Sequence, residues 1–216
     1  MPSPSDSIDP ANGVSRRSFM QTLGASAAAA SITSSAQALE QRPSLKREPG
    51  VEGPGPIDIV LDVNGQPRRL RVEPSTTLLE ALRLQIGLTG TKEICDRGSC
   101  GGCCVILDGK LVNACMMFAA DAAGAKLTTV EGLASGGALQ PVQEAFIRHD
   151  ALQCGYCTPG FLVASAWLLK ETPKPSLDQI KKALSGNICR CGTYTNVFNA
   201  VLEASGQPVL IDPILS

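Results

Sequence analysis

The sequence predicts an α+β chain, with a β-grasp domain over residues 57–130 followed by an all-α, four-helix domain over 131–216. Three observations carry that expectation. Apolar residues alternate with polar ones in the first half, the repeat turns helical after Leu139, and all nine cysteines lie between Cys95 and Cys191 in two clusters, one in each half.

In "PIDIVLDVNGQPRRLRV", Ile57, Ile59, Leu61 and Val63 alternate against Asp58 and Asp62, and Asn64-Gly65 supplies the tight turn of a hairpin. Thr77 and Glu80 have the capping-box spacing, and Leu78, Leu79, Leu82 and Ile86 share one helical face before Gly87 ends it. "CVILDGKLVNAC" repeats the hairpin signal about Asp108-Gly109. A strand pair, a helix, a loop and a second strand pair are the parts of a small β-grasp.

The helices follow in turn. Pro141 suits the first turn of a helix carrying Val142, Ala145 and Phe146; Thr158-Pro159 opens an apolar helix through Leu169; Ser176 and Gln179 box a third; Thr195 precedes a fourth with Val197, Phe198, Val201 and Leu202. Cys154 and Cys157 stand just ahead of the second of these helices, and Cys189 and Cys191 just ahead of the fourth. A two-fold arrangement of helix pairs would bring the four sulfurs together. Trp167 reads as core packing, and His149, the sole histidine, as a surface or cap residue at a helix end.

Residues 1–38 differ from the rest. Arg16-Arg17 and Phe19 lead into a mild Ala/Ser-rich stretch that ends at Ala36-Gln37-Ala38, the order of an export signal with its cleavage site, and the arginine pair resembles the twin-arginine signal. The stretch is too short and too weakly apolar for a stable membrane span. Residues 39–56 form a Pro/Gly linker. A periplasmic location follows. The twin-arginine route carries folded proteins, so it favours a cofactor inserted before export over a disulfide framework. With 19 Lys+Arg against 20 Asp+Glu the formal charge is −1, which argues against a nucleic-acid partner.

"CDRGSCGGC" places Cys95, Cys100 and Cys103 at C-x4-C-x2-C, with Cys115 following from the next hairpin, which is the plant-type [2Fe-2S] spacing. Gly98, Gly101 and Gly102 let backbone N–H groups approach an anionic cluster without a Cβ clash. Zinc also takes four thiolates, but its ribbons favour two short knuckles over three ligands in one wrapped loop. Cys104, next to Cys103, starts a strand and should point to the other side as a small buried hydrophobe. For the second block, C-x2-C followed by C-x-C fits zinc and an iron-sulfur cluster equally well. Placement at two helix N-termini adds N–H groups and positive dipole ends that favour a reduced cluster.

"QCGYCTPG" from Gln153 and "GNICRC" from Gly186, behind "CDRGSCGGC", closely resemble the iron-sulfur (small) subunits of the molybdenum hydroxylases, the xanthine dehydrogenase and aldehyde oxidoreductase family. The resemblance covers about residues 57–205 and, with the export signal, points to a periplasmic aldehyde oxidoreductase. It implies a ferredoxin-like β-grasp domain and a four-helix domain, each holding one [2Fe-2S]. Cys95, Cys100, Cys103 and Cys115 would bind the cluster nearer a flavin; Cys154, Cys157, Cys189 and Cys191 would bind the one nearer molybdenum. Gln153 and Cys191 sit where the family touches the pterin of its molybdenum cofactor. Gly192-Thr193-Tyr194 departs from the commoner family order Thr-Gly-Tyr.

The expected function is electron transfer from a molybdopterin-binding large subunit to an FAD-binding medium subunit or an external acceptor, with no catalysis by this chain alone. A stand-alone exported two-cluster ferredoxin is the alternative. It would have no use for a pterin-facing Gln153 motif.

Overall fold

The computed structural model describes residues 55–134 and 136–210. The expected export signal at 1–38 and nearly all of the linker at 39–56 lie outside the described residues. Strands β1 (Ile57–Val63) and β2 (Gln66–Val72) pair antiparallel with Val63 opposite Gln66. Asn64 and Gly65 turn between them with φ of 54° and 76°, the two positive values that a right-twisted hairpin of this length requires. The expected alternation buries Ile59, Leu61 and Val63 on one face.

Helix α1 (Leu78–Glu80) starts at the predicted capping box: the Thr77 hydroxyl accepts from the Glu80 N–H, and the Glu80 carboxylate accepts from the Thr77 N–H at 2.8 Å. It differs from the expected helix in widening into a π-turn over Ala81–Ile86. The element still buries Leu78, Leu79, Ala81 and Leu82, leaves Leu84 in solvent, and ends at Gly87 with φ 82°.

Strands β3 (Cys104–Leu107) and β4 (Lys110–Asn113) form the second predicted hairpin, about Asp108-Gly109. The sequence did not reveal β5 (Lys126–Thr128), whose three residues are too few to show a period. That strand joins the hairpins. It runs parallel to β1 and antiparallel to β3, giving the order β2-β1-β5-β3-β4 and the mixed sheet of a β-grasp.

Helices α2 (Pro141–Arg148), α3 (Thr158–Glu171), α4 (Leu177–Ala183) and α5 (Tyr194–Ala204) follow. Ser176 and Gln179 make their predicted box, while α5 begins one residue before Thr195, with Thr193 at its N-cap. Phe146, Phe161, Ile180, Leu184 and Val201 fill the helical core. Each of the two phenylalanines contributes about 1.5–3 kcal/mol by leaving water. His149 caps α2 and bonds to Glu203 on α5, so it is structural, as expected.

The two halves share a seam in which Cys104, Leu133 and Val163 are buried together. Trp167 on α3 is half-buried there and donates its indole N–H to the Gly109 carbonyl at 2.9 Å, tying the helix to the β3–β4 turn. Among the described residues no helix is long and apolar enough to cross a membrane.

Candidate metal centres

The first cysteine loop runs from Cys95 to Cys103 between α1 and β3, and Cys115 joins it from the 3-10 turn Ala114–Met116 after β4. Asp96, Gly98 and Gly101 take left-handed φ of 51°, 71° and 68°, which curls the loop around its own sulfurs. The Gly98 N–H donates to the Cys115 sulfur at 3.2 Å. The Arg97 N–H is the main influence that brings Cys95 down to about 7; burial opposes it, while the Cys100 thiol and the Ser99 N–H assist. Burial pushes Cys100 up, and the Gly102 N–H works in the opposite direction. Cys103 is pushed up to about 12, first by burial and then by its bond to Cys115. The four thiols therefore stand as two pairs, Cys95 with Cys100 and Cys103 with Cys115.

The second site is assembled from two separated helix starts. Cys157 is the N-cap of α3, and Cys189 and Cys191 precede α5. Cys157 is pushed up to about 12 by burial and by its bond to Cys189. Burial opposes ionisation of Cys189 as well, yet the hydroxyl and N–H of Thr193 bring it down to about 7, with the sulfur 3.2 Å from Thr193 Oγ1. The Cys189 N–H donates to the Tyr194 hydroxyl at 2.9 Å. Cys154 and Cys191 influence each other's ionisation as neighbours and are exposed. Here too the sulfurs are paired, one pair inside and one at the surface. Gly192, at φ 81°, makes the turn that presents Thr193 to Cys189.

Each site gathers four cysteines. Zinc would draw four such donors to about 2.3 Å from a single centre, whereas a [2Fe-2S] cluster divides four cysteines between two irons and takes further hydrogen bonds at its sulfides. The Thr158 hydroxyl, next in sequence to Cys157, is buried without a partner among the described residues, a donor that a cluster sulfide would satisfy. Both sites fit two irons.

Cys104 lies across β3 from its neighbour. Cys103 belongs to the sheet core with Cys115, whereas Cys104 belongs to the seam. Its thiol faces Asn113 Oδ1 at 3.4 Å and Asn187 Nδ2 at 3.8 Å, and burial pushes it up to about 11. The Asn113 amide in turn donates to the Gly98 carbonyl at 3.1 Å.

The two cysteine loops meet at the seam. The Ile188 N–H donates to the Cys100 carbonyl at 3.0 Å, and Asn187 Nδ2 donates to the Gly101 carbonyl at 3.0 Å. Gly160, in the first turn of α3, packs so closely that a Cβ there would stand 2.2 Å from the Gly101 oxygen. Gln153 is exposed beside Cys154, as is Cys191. Motif reading missed Asn113 and Asn187 and named Thr193 and Tyr194 only as a departure from the family order, because their contacts to the cysteines are not encoded in cysteine spacing. The one available signal was position: each lies within three residues of a cysteine.

Residues 61–131 match a family described as a 2Fe-2S iron-sulfur cluster binding domain, and residues 129–202 match a [2Fe-2S] binding domain. The chain is 39% identical over 209 residues to the aldehyde oxidoreductase iron-sulfur-binding subunit PaoA of Escherichia coli O157:H7, an alignment covering 90% of this chain and 89% of that one. It is 46% identical over 151 residues to the nicotine 6-hydroxylase small subunit of Paenarthrobacter nicotinovorans, covering 70% of this chain and 91% of the relative. Among solved structures, quinoline 2-oxidoreductase from Pseudomonas putida 86 superposes with a TM-score of 0.68 at 41% identity, over 70% of this chain and 94% of that chain. The aldehyde oxidoreductase of Desulfovibrio desulfuricans superposes with a TM-score of 0.67 at 43% identity, and there the match covers 69% of this chain but 17% of the larger one. With two [2Fe-2S] domains in a β-grasp and helical order, the chain belongs to the iron-sulfur subunits of the molybdenum hydroxylases, the electron-transfer subunits of oxidoreductase complexes.

Proposed function

We propose that this chain carries electrons from a molybdopterin-binding large subunit to an FAD-binding medium subunit, or to an external acceptor, in an exported aldehyde oxidoreductase. Cys95 and Cys100 would hold one iron of the first cluster and Cys103 and Cys115 the other; Cys154 with Cys191, and Cys157 with Cys189, would divide the second in the same way. The clusters would each take one electron, which splits a two-electron substrate oxidation in the partner into single steps.

The observation that carries this reading is a graded path. Gln153, Cys154 and Cys191 are exposed to a partner, the half-buried Cys157 and buried Cys189 belong to the helical core, and the Ile188 N–H bonds directly to the Cys100 carbonyl of the first loop. The chain's own work is to orient these sulfurs, supply N–H donors and keep water from the inner ones. The aldehyde substrate rests on the PaoA relative, which aligns over nearly its whole length. The periplasmic destination rests on Arg16-Arg17 and Phe19.

Two measurements test it. The purified complex should hold, in this subunit, four irons and four acid-labile sulfides that give two reduced-state paramagnetic signals; zinc in either site, or two irons alone, would overturn the ligand assignment. Replacing Arg16 and Arg17 by lysine should leave cluster content intact and retain the complex in the cytoplasm, and unchanged export would remove the twin-arginine claim.

A further inference from the structure

Asn187 lies two residues before Cys189 and so belongs, in sequence, to the second site. Its side chain faces the first. It is a buried polar group, 4% exposed, beside the buried Cys104 of the seam. Burying an amide there is costly unless its N–H groups are bonded, and they are: Nδ2 donates to the Gly101 carbonyl at 3.0 Å and approaches the Cys104 sulfur at 3.8 Å.

The Gly101 carbonyl is one end of a peptide unit whose other end is the Gly102 N–H, in the short stretch between Cys100 and Cys103. A hydrogen bond accepted at a peptide oxygen withdraws electron density and makes the same peptide's N–H a stronger donor, as in any hydrogen-bonded chain. The register is held from both sides. Gly101 can take its φ of 68° and admit Asn187 only without a side chain, since a Cβ there would stand 2.5 Å from Asn187 Nδ2. The Ile188 N–H fixes the preceding Cys100 carbonyl at 3.0 Å.

We propose that Asn187 is a positioning residue for the first cluster, not for the second beside which it lies in sequence: by bonding the Gly101 carbonyl it strengthens the N–H of the Gly101–Gly102 peptide, which lies between Cys100 and Cys103, as a donor to that cluster and raises its reduction potential. A reduced cluster carries one more negative charge, so donors to its sulfurs stabilise it over the oxidised form. Acting from the second site's loop, Asn187 biases electron flow toward the first cluster, as long as the second loop stays docked.

The inference rests on the ligand assignment proposed above, and the experiment separates the two. In the assembled complex, Asn187→Asp replaces the donor by an acceptor of the same shape, and Asn187→Ala removes it. Potentiometric titration followed by electron paramagnetic resonance reads each cluster, with the first cluster's signal identified by its alteration in Cys100→Ser. Both variants should retain four irons. At a fixed potential, the ratio of reduced to oxidised first cluster should fall about threefold in Asn187→Ala and further in Asn187→Asp, with the second cluster's ratio unchanged. A shift confined to the second cluster, equal shifts in both, or no shift would overturn the inference while leaving the ligand assignment standing. Should either variant lose iron, the other supplies the reading. Loss in both would show Asn187 to be needed for assembly and overturn a tuning role. Fewer than four irons in the unaltered chain would instead defeat the assignment beneath it.

Discussion

The two cysteine sites solve one chemical problem in opposite ways. The first wraps three cysteines in a single nine-residue stretch, Cys95–Cys103, and borrows Cys115 from the turn after the β3–β4 hairpin; its backbone N–H groups come from the loop itself, and three of its four sulfurs are buried. The second joins cysteines more than thirty residues apart in sequence, Cys157 and Cys189, at the starts of two helices, and leaves Cys154 and Cys191 exposed. A wrapped loop is local, so its geometry depends little on the rest of the fold. The helix-start site exists only if the helical core is packed, which makes it the more dependent of the two and the one open to a partner. Between them runs a seam of backbone and small residues. The comparison predicts that forcing the two loops apart at the seam hurts both sites, ligand changes hurt one, and changes at the far edge of the seam hurt neither.

The largest effect should come from Gly160→Val. Its Cβ would meet the Gly101 oxygen at 2.2 Å and the Gly102 Cα at 3.1 Å, both backbone atoms of the first loop, so relief requires α3 and that loop to separate. We expect the purified subunit to lose iron at both sites. Gly155→Ala is the control: φ is +78° there but nothing lies within 4 Å, so the left-handed strain of about 1–2 kcal/mol should leave both clusters in place. Four irons in Gly160→Val would show that the loops are independent.

Next come the ligands. Cys191→Ser should remove the second cluster and leave two irons in the first, because Cys191 stands exposed beside Cys154 of its own site. Cys115→Ser should remove the first cluster and cost more stability, since Cys115 is part of the packed sheet core as well as a receiver of the Gly98 N–H. Iron per chain and thermal midpoint, measured together, check both. Equal midpoints would contradict the idea that the wrapped site is built into the core.

The elements that sequence revealed were those whose signal is local. Asn64-Gly65, Asp108-Gly109, the Thr77/Glu80 and Ser176/Gln179 boxes and Pro141 each act within four residues, and each stands where expected. The β5 strand escaped because three residues paired between two remote hairpins have no pattern of their own. The cysteine clusters and their division between halves were equally plain. What spacing could not supply was which sulfur stands beside which, and the 86-residue reach from Asn187 to Gly101, since both are products of helix packing.

At the reagent level the two sites should differ in the iron-free folded chain. Cys95 and Cys189 are both held at about 7, but Cys95 is half-exposed while Cys189 is buried. A lowered pKa means that the reactive thiolate predominates above about pH 7 and declines roughly tenfold per unit below it. Alkylation followed by peptide mass spectrometry should therefore label Cys95 well ahead of Cys189 at pH 8, with the Cys95 rate falling steeply between pH 7 and 6. Equal labelling would mean that the helical half had opened and that burial no longer separated the sites.

The smallest effect belongs to the far edge of the seam. Trp167→Phe keeps an aromatic ring against the β3–β4 turn and removes only the N–H that the Gly109 carbonyl accepts at 2.9 Å. Trp167 is half-buried, so water can reach the freed carbonyl and the penalty of an unpaired buried acceptor does not arise in full. The expected cost is about 0.5–1.5 kcal/mol, a drop of a few degrees in thermal midpoint for a domain of this size. The cysteine loops take no part in this contact, so iron content and both cluster potentials should be unchanged. A variant that lost iron or shifted either potential would mean that α3 transmits strain from its C-terminal half to Cys157 at its start. The seam would then be one rigid lever, and the two sites would be coupled along the whole helix instead of at Gly101, Gly160 and Asn187 alone.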